Sequence, residues 1–145
     1  MTHPHRSIAL EDLSEGMTAS LERTVSERDV VRFAEVTGDD NPLHFDAEFA
    51  ATTVFGEPIA HGILSAGYIS AVIGTRLPGP GTVYLSQVLE FRAPVRIGDA
   101  VTARVTVAAI DRQRRRVRLD TACLVGGKIV VEGEALVLVP VPRPA

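Results

Sequence analysis

Apolar and polar positions change rhythm once along the chain. Up to about residue 77 the apolar spacing is mainly helical, and from about residue 83 it alternates residue by residue. The break falls at Pro78-Gly79-Pro80-Gly81, which cannot continue a helix. Before the break, a strand is predicted around Met17 to Val25. A helix then starts at Ser26, where Asp29 three positions on forms a weak capping box. Val30, Phe33, Ala34 and Thr37 follow at helical spacing, and Gly38 is the stop. A short helix is expected from Asp46, its cap, to about Thr52. The segment Gly62 to Thr75 is uncharged on every side and too short to cross a bilayer, so the rest of the fold is expected to wrap its whole circumference. Glycines 62, 67 and 74 each weaken that helix by roughly 1 kcal/mol relative to alanine. Close approach by a sheet or a second subunit is expected to explain them.

Past the break the pattern reads as strands at Val83 to Arg92, Ala100 to Ile110, Arg116 to Val125 and Lys128 to Val139. Val101, Ala103, Val105 and Val107 share one face against Thr102, Arg104 and Thr106. Val117, Leu119, Thr121, Cys123 and Val125 do the same against Arg116, Arg118 and Asp120. Gly126-Gly127 signals a hairpin, and Pro94 with Gly98-Asp99 separates the first two strands. The expectation is a single α+β domain over residues 1–145, with 1–16 partly flexible: an antiparallel meander of about five strands curled around one buried helix.

Composition narrows the class. At 46% hydrophobic and 23% charged, the 145 residues exclude a disordered chain or a fibrous repeat. A net charge of −3 argues against nucleic acid or an anionic membrane as partner. Cys123 is the only cysteine, which excludes an intrachain disulfide and a cysteine-rich zinc site. With no apolar leader at the N-terminus, a cytoplasmic location is expected.

The densest polar cluster is Thr37-Gly-Asp-Asp-Asn-Pro-Leu-His-Phe-Asp46. A second segment, Pro58-Ile-Ala-His-Gly62, leads into the apolar helix, whose first amides lack intrahelical partners and favour an anion or a developing negative charge. Taken alone, Asp39 and His44 could cap the next helix, His61 could fix a turn, and the Ser70 hydroxyl could bond to the preceding turn. Asp39, Asp40, His44, Asp46 and His61 fit no familiar metal-ligand spacing, so no metal is expected. Gly62-Ile-Leu-Ser65-Ala-Gly67 has one residue too many for a serine-hydrolase elbow. Arg112-Gln-Arg-Arg-Arg-Val-Arg118 is read as a solvated hairpin edge that guards against sheet aggregation.

The two polar segments, in this order, resemble the hydratase motif of the (R)-specific enoyl-CoA hydratases, the MaoC-like branch of the hot-dog superfamily. The likeness continues through Gly74-Thr-Arg-Leu-Pro-Gly-Pro-Gly81 and Phe91-Arg-Ala-Pro-Val-Arg-Ile-Gly-Asp99 and covers about residues 18 to 138. It implies a hot-dog fold and a homodimer with joined sheets and active sites at the interface. It also implies Asp39 and His44 as the catalytic pair, the Gly62 amide on the thioester oxygen, Ser70 ordering the site, and Asn41 in a supporting position. Asn41, His61, Leu64 and Ile73 are the candidate substrate-binding residues, the last two as walls limiting acyl length. Adding water to an α,β-unsaturated thioester needs a base for water, an acid for C2 and a donor for the enolate-like oxygen, and Asp39, His44 and the Gly62 amide offer those types. The implied product is an (R)-3-hydroxyacyl-CoA formed by syn addition, a precursor in fatty-acid or polyhydroxyalkanoate metabolism, with no cofactor beyond the substrate's own CoA. A carrier-protein dehydratase, a hot-dog thioesterase and a noncatalytic acyl-CoA-binding module are the alternatives. Contact with CoA phosphates is the other reading of the arginine run.

Overall fold

Local chemistry sets the helix ends. The Ser26 hydroxyl accepts the Asp29 amide at 3.1 Å while the Asp29 carboxylate accepts the Ser26 amide at 3.0 Å, a reciprocal cap that starts α1 (Glu27–Thr37). The helix ends where Gly38 turns left-handed at φ 82°. Asp46 accepts the amides of Glu48 and Phe49 and so opens α2 (Ala47–Ala51). α3 (Gly62–Thr75) spans the uncharged segment. The strands are β1 (Thr18–Thr24), β2 (Val83–Phe91), β3 (Ala100–Asp111), β4 (Arg116–Val125) and β5 (Lys128–Leu138).

The computed structural model describes residues 5–143; residues 1–4 and 144–145, and with them His3, lie outside the described residues. Of the segment expected to be partly flexible, Leu10 and Leu13 are buried and the Ile8 amide donates to Pro78 O at 2.6 Å. That stretch is packed because two leucines reach the core.

All five strands form one antiparallel sheet in the order β1-β3-β4-β5-β2. This corrects the expected continuous meander. β3, β4 and β5 follow one another as hairpins, the last closed by Gly126 and Gly127, both at positive φ. β2 instead pairs with β5 at the far edge. The chain crosses the concave face through α3 between laying down β1 and β2, so these two strands fall on opposite edges. The backbone of β2 approaches β5 so closely at Gly133 that a Cβ there would lie 1.8 Å from Val88 O.

The inward residues are those the alternation marks: Val101, Ala103, Val105, Val107, Val117, Leu119 and Cys123 are buried with Ile69, Val72, Ile73 and Leu77 of α3 and its C-terminal end. Each of the valines, leucines and isoleucines among them contributes about 1.5–3 kcal/mol by leaving water. Thr121 on the same face is satisfied by Gln87 Nε2 at 3.0 Å. Burial pushes the Cys123 thiol up to about 12, so it acts as a small apolar filler with its Sγ on Ser65 O.

The helix is not hidden all round, contrary to expectation. One sheet covers one side of a cylinder, and the opposite stripe of Ile63, Gly67 and Ser70 stays open, Ile63 at 58% exposure. Gly67 and Gly74 face empty space within the subunit, whereas a Cβ on Gly62 would stand 2.8 Å from the Phe91 ring. Close approach within this chain therefore explains only Gly62.

The arginine run also changes meaning. It joins β3 and β4, which are interior strands, so it guards no sheet edge. Arg112 donates to Leu10 O and Leu13 O, each at 3.0 Å, and Arg115 donates through Nε to Val139 O at 2.8 Å. These guanidinium groups tie both terminal segments to one hairpin. Among the described residues no helix is long and apolar enough to cross a membrane.

Candidate active site

Beyond Gly38 the loop is wound by its own side chains. Thr37 Oγ1 accepts the Asp39 amide at 3.2 Å, Asp39 Oδ1 accepts the Asn41 amide at 3.3 Å, and Asn41 Oδ1 accepts the Leu43 amide at 3.0 Å. These successive turns lead into a 3-10 turn at Pro42–His44 with proline at its start. His44 is thereby placed against the segment before α3, where its Nδ1 lies 2.6 Å from Ile59 O. That segment is itself fixed to the sheet side, since the Ala60 amide donates to Val95 O at 2.8 Å. A carbonyl only accepts, so His44 Nδ1 carries the proton and Nε2 keeps the lone pair. Burial holds the His44 imidazole below its ordinary value; the Ile59 bond opposes that, the neighbouring His61 ring adds to it, and Asp39 opposes it.

His61 sits at the centre of the cluster. It is 2% exposed and is the N-cap residue of α3. Its ring lies 3.8 Å from that of His44 at 30°, and 4.6 Å from Phe33 at 47°. Nε2 donates to Asp39 O at 3.0 Å, while the Asp39 carboxylate stands 4.0 Å away, beyond hydrogen-bond reach. His61 Nδ1 is buried with no partner, the single such side-chain atom among the described residues. An orphan buried acceptor costs about 1–3 kcal/mol.

Gly62 follows directly. Its amide opens a 14-residue helix and has no i−4 carbonyl within it. Beside it lies an apolar cleft of about 450 Å³ lined by Phe55, Ile59, Gly62, Ile63, Phe91 and Val131. His44 lines a second cleft of about 440 Å³ with Val31, Phe45, Glu57 and Ile97. Asp39, His44 and His61 each offer a ligand atom within 4.8 Å of the others, so these are the described residues that could converge on a metal ion. One nitrogen of each imidazole is already committed to a carbonyl.

The structure thus brings together Asp39, His44, His61 and Gly62. It does not bring the others to the same point. Ser70 lies further along the open face of α3, in a cleft with Tyr84 and Gln87. Asn41 spends its carbonyl oxygen on the loop. Leu64 is half-buried beside Arg32, Phe33 and Tyr68. Ile73 is 2% exposed in the core, about 180° around the helix from Leu64. Sequence reasoning missed Phe33, which reads only as the apolar face of α1, and Phe91, which reads only as strand. Each packs on the segment leading into α3 from a distance in sequence, Phe33 against His61 and Phe91 against Gly62.

Against known proteins, residues 11–126 match the MaoC like domain, and the chain belongs to that family. Its fold is the hot-dog fold of the R-hydratases, and the chain is a hydro-lyase. It is 58% identical over 135 residues to a 3-hydroxybutyryl-CoA dehydratase of Methylorubrum extorquens, covering 93% of this chain and 86% of the relative. It is 56% identical over 130 residues to an (R)-specific enoyl-CoA hydratase of Rhodospirillum rubrum, covering 90% of each. Among solved structures, the (R)-hydratase from A. caviae involved in PHA biosynthesis superposes with a TM-score of 0.86 at 43% identity, over 90% of this chain and 99% of that one.

Proposed function

We propose that this chain hydrates trans-2-enoyl-CoA reversibly to (R)-3-hydroxyacyl-CoA, with Asp39 and His44 as one acid–base unit and the Gly62 amide as donor to the thioester oxygen. The observation that carries the reading is the coincidence of the pair with the helix mouth: the His44 ring stacks 3.8 Å from His61, the residue immediately before Gly62. His44 Nε2 and the Asp39 carboxylate exchange protons with water and with C2. As negative charge moves onto the thioester oxygen, the amide at the positive end of α3 stabilises it. The reaction asks for no cofactor, since CoA enters with the substrate. The relative named for 3-hydroxybutyryl-CoA supports a four-carbon substrate as the first to try.

The open stripe of α3 and the exposed Leu85, Val88 and Phe91 of the edge strand β2 support a homodimer through these surfaces. The buried lone cysteine supports a reducing cytoplasm as the setting.

Purified protein is assayed with crotonyl-CoA by loss of conjugated-thioester absorbance, and the product is resolved by chirality. Asp39→Asn and His44→Ala each lower the rate at least about 10²-fold with circular dichroism unchanged. Near-normal rates in both variants, or an (S) product, defeat the proposal; preference for a carrier-protein thioester or release of free CoA replaces it with the alternative enzyme readings.

A further inference from the structure

His61 is the most completely enclosed ionisable side chain of the site, yet the reaction scheme gives it nothing to do. Two contacts define it. From one edge its Nε2 holds the main-chain oxygen of Asp39, and on its face it carries the His44 ring. The ring of Phe33 in α1 also packs on it, with centroids 4.6 Å apart, so the imidazole touches both helix and loop. Its remaining nitrogen meets no donor. If packing alone were required, phenylalanine would fill the same slot and stack the same way without burying an unsatisfied acceptor. The retained imidazole is explained by what its far edge does, which is to donate to Asp39.

We propose that His61 is a positioning residue that fixes the spacing of the acid–base pair, pinning the Asp39 main chain through Nε2–H and registering the His44 ring by stacking, without touching substrate. Because His61 is also the N-cap of α3, the same residue ties both groups to the Gly62 amide. The charged and titratable groups facing these rings are Asp39 on the loop, Glu27 of α1 and Glu57 across the cleft that His44 lines. The inference rests on the hydratase reading above.

Two substitutions separate the contacts. His61→Phe keeps a stacking ring and loses the donor, and His61→Gln keeps a donor and loses the ring. With crotonyl-CoA, each lowers kcat at least tenfold while KM stays within about threefold, the signature of lost transition-state geometry. The acidic limb of kcat/KM, read as His44 in the free enzyme, moves to higher pH in His61→Gln, where water gains access to His44, and less in His61→Phe. Wild-type kcat with an unmoved acidic limb in either variant overturns the proposal, as does a loss that only follows the folded fraction in thermal melts. Long-range 15N–1H spectra of the wild-type histidines give a readout independent of turnover and of variant folding: the Nε2–H tautomer is expected at His61, and the Nδ1–H tautomer overturns the proposal. An inactive wild-type enzyme defeats the hydratase reading and leaves the tautomer to judge His61.

Discussion

The two faces of α3 are made of similar residues and live in different surroundings. On the sheet side Ser65, Ile69, Val72 and Ile73 are buried, while on the other side Ile63, Gly67 and Ser70 are open. Hydrophobicity alone does not distinguish these faces, because the helix is uncharged throughout. Side-chain size does. The covered face carries Ile69, Val72 and Ile73, which fill the concave sheet, whereas beyond Ile63 the open face carries Gly67 and Ser70, small enough to let another backbone come near. A helix can thus be apolar on all sides while only one side is core, and the dimer proposed above would make the other side a contact surface.

Substitutions on each face sharpen this contrast. Ile69, at 0% exposure, is the strongest case: Ile69→Ala lowers unfolding stability by about 2–5 kcal/mol in urea titrations, and a loss well under 1 kcal/mol removes the face from the core. At Gly67 on the open face an added Cβ meets nothing within the subunit, and Gly67→Leu extends into the cleft shared with Ser70 and Tyr84. It leaves subunit stability level or raised, since glycine costs roughly 1 kcal/mol in a helix, and weakens dimerisation at least tenfold by sedimentation. Unchanged dimer affinity assigns that stripe to water. The smallest effect lies at the mouth, where the faces meet. With the His44 pKa held below the ordinary 6.5, the unfolded chain takes up its proton first, so stability falls as pH drops through that range. The urea midpoint drifts down between pH 7.5 and 5.5, and His44→Ala flattens the drift; an equal drift in the variant removes His44 as its source.

Much of this was legible before any coordinates. The Ser26 and Asp29 cap, the Gly38 stop, the Gly126-Gly127 hairpin and the limits of α3 are local, each set by residues within a few positions of one another. The edge position of β2 was not, because alternation states that a strand forms and is silent on its neighbour. The same holds for the arginine run, whose partners Leu10, Leu13 and Val139 are remote in sequence. In the site, Asp39 and His44 stand in one loop and could be read together. His61 could not be ranked with them, since a histidine before a helix has an ordinary local explanation, and its stacking on His44 exists only after the loop folds back. Ile73 shows the converse: a place on the helix does not by itself tell which side meets the sheet, and this side chain is 2% exposed in the core.

The clasp formed by Arg112 and Arg115 has a practical side. It gathers the two terminal segments at one hairpin, and Ile8 reaches Pro78 just beyond the C-terminal end of α3. The candidate site sits at the other end of that rod, about 20 Å away at 1.5 Å per residue. A fluorescent reporter, an affinity handle or a surface tether grafted near either extremity should therefore leave turnover intact.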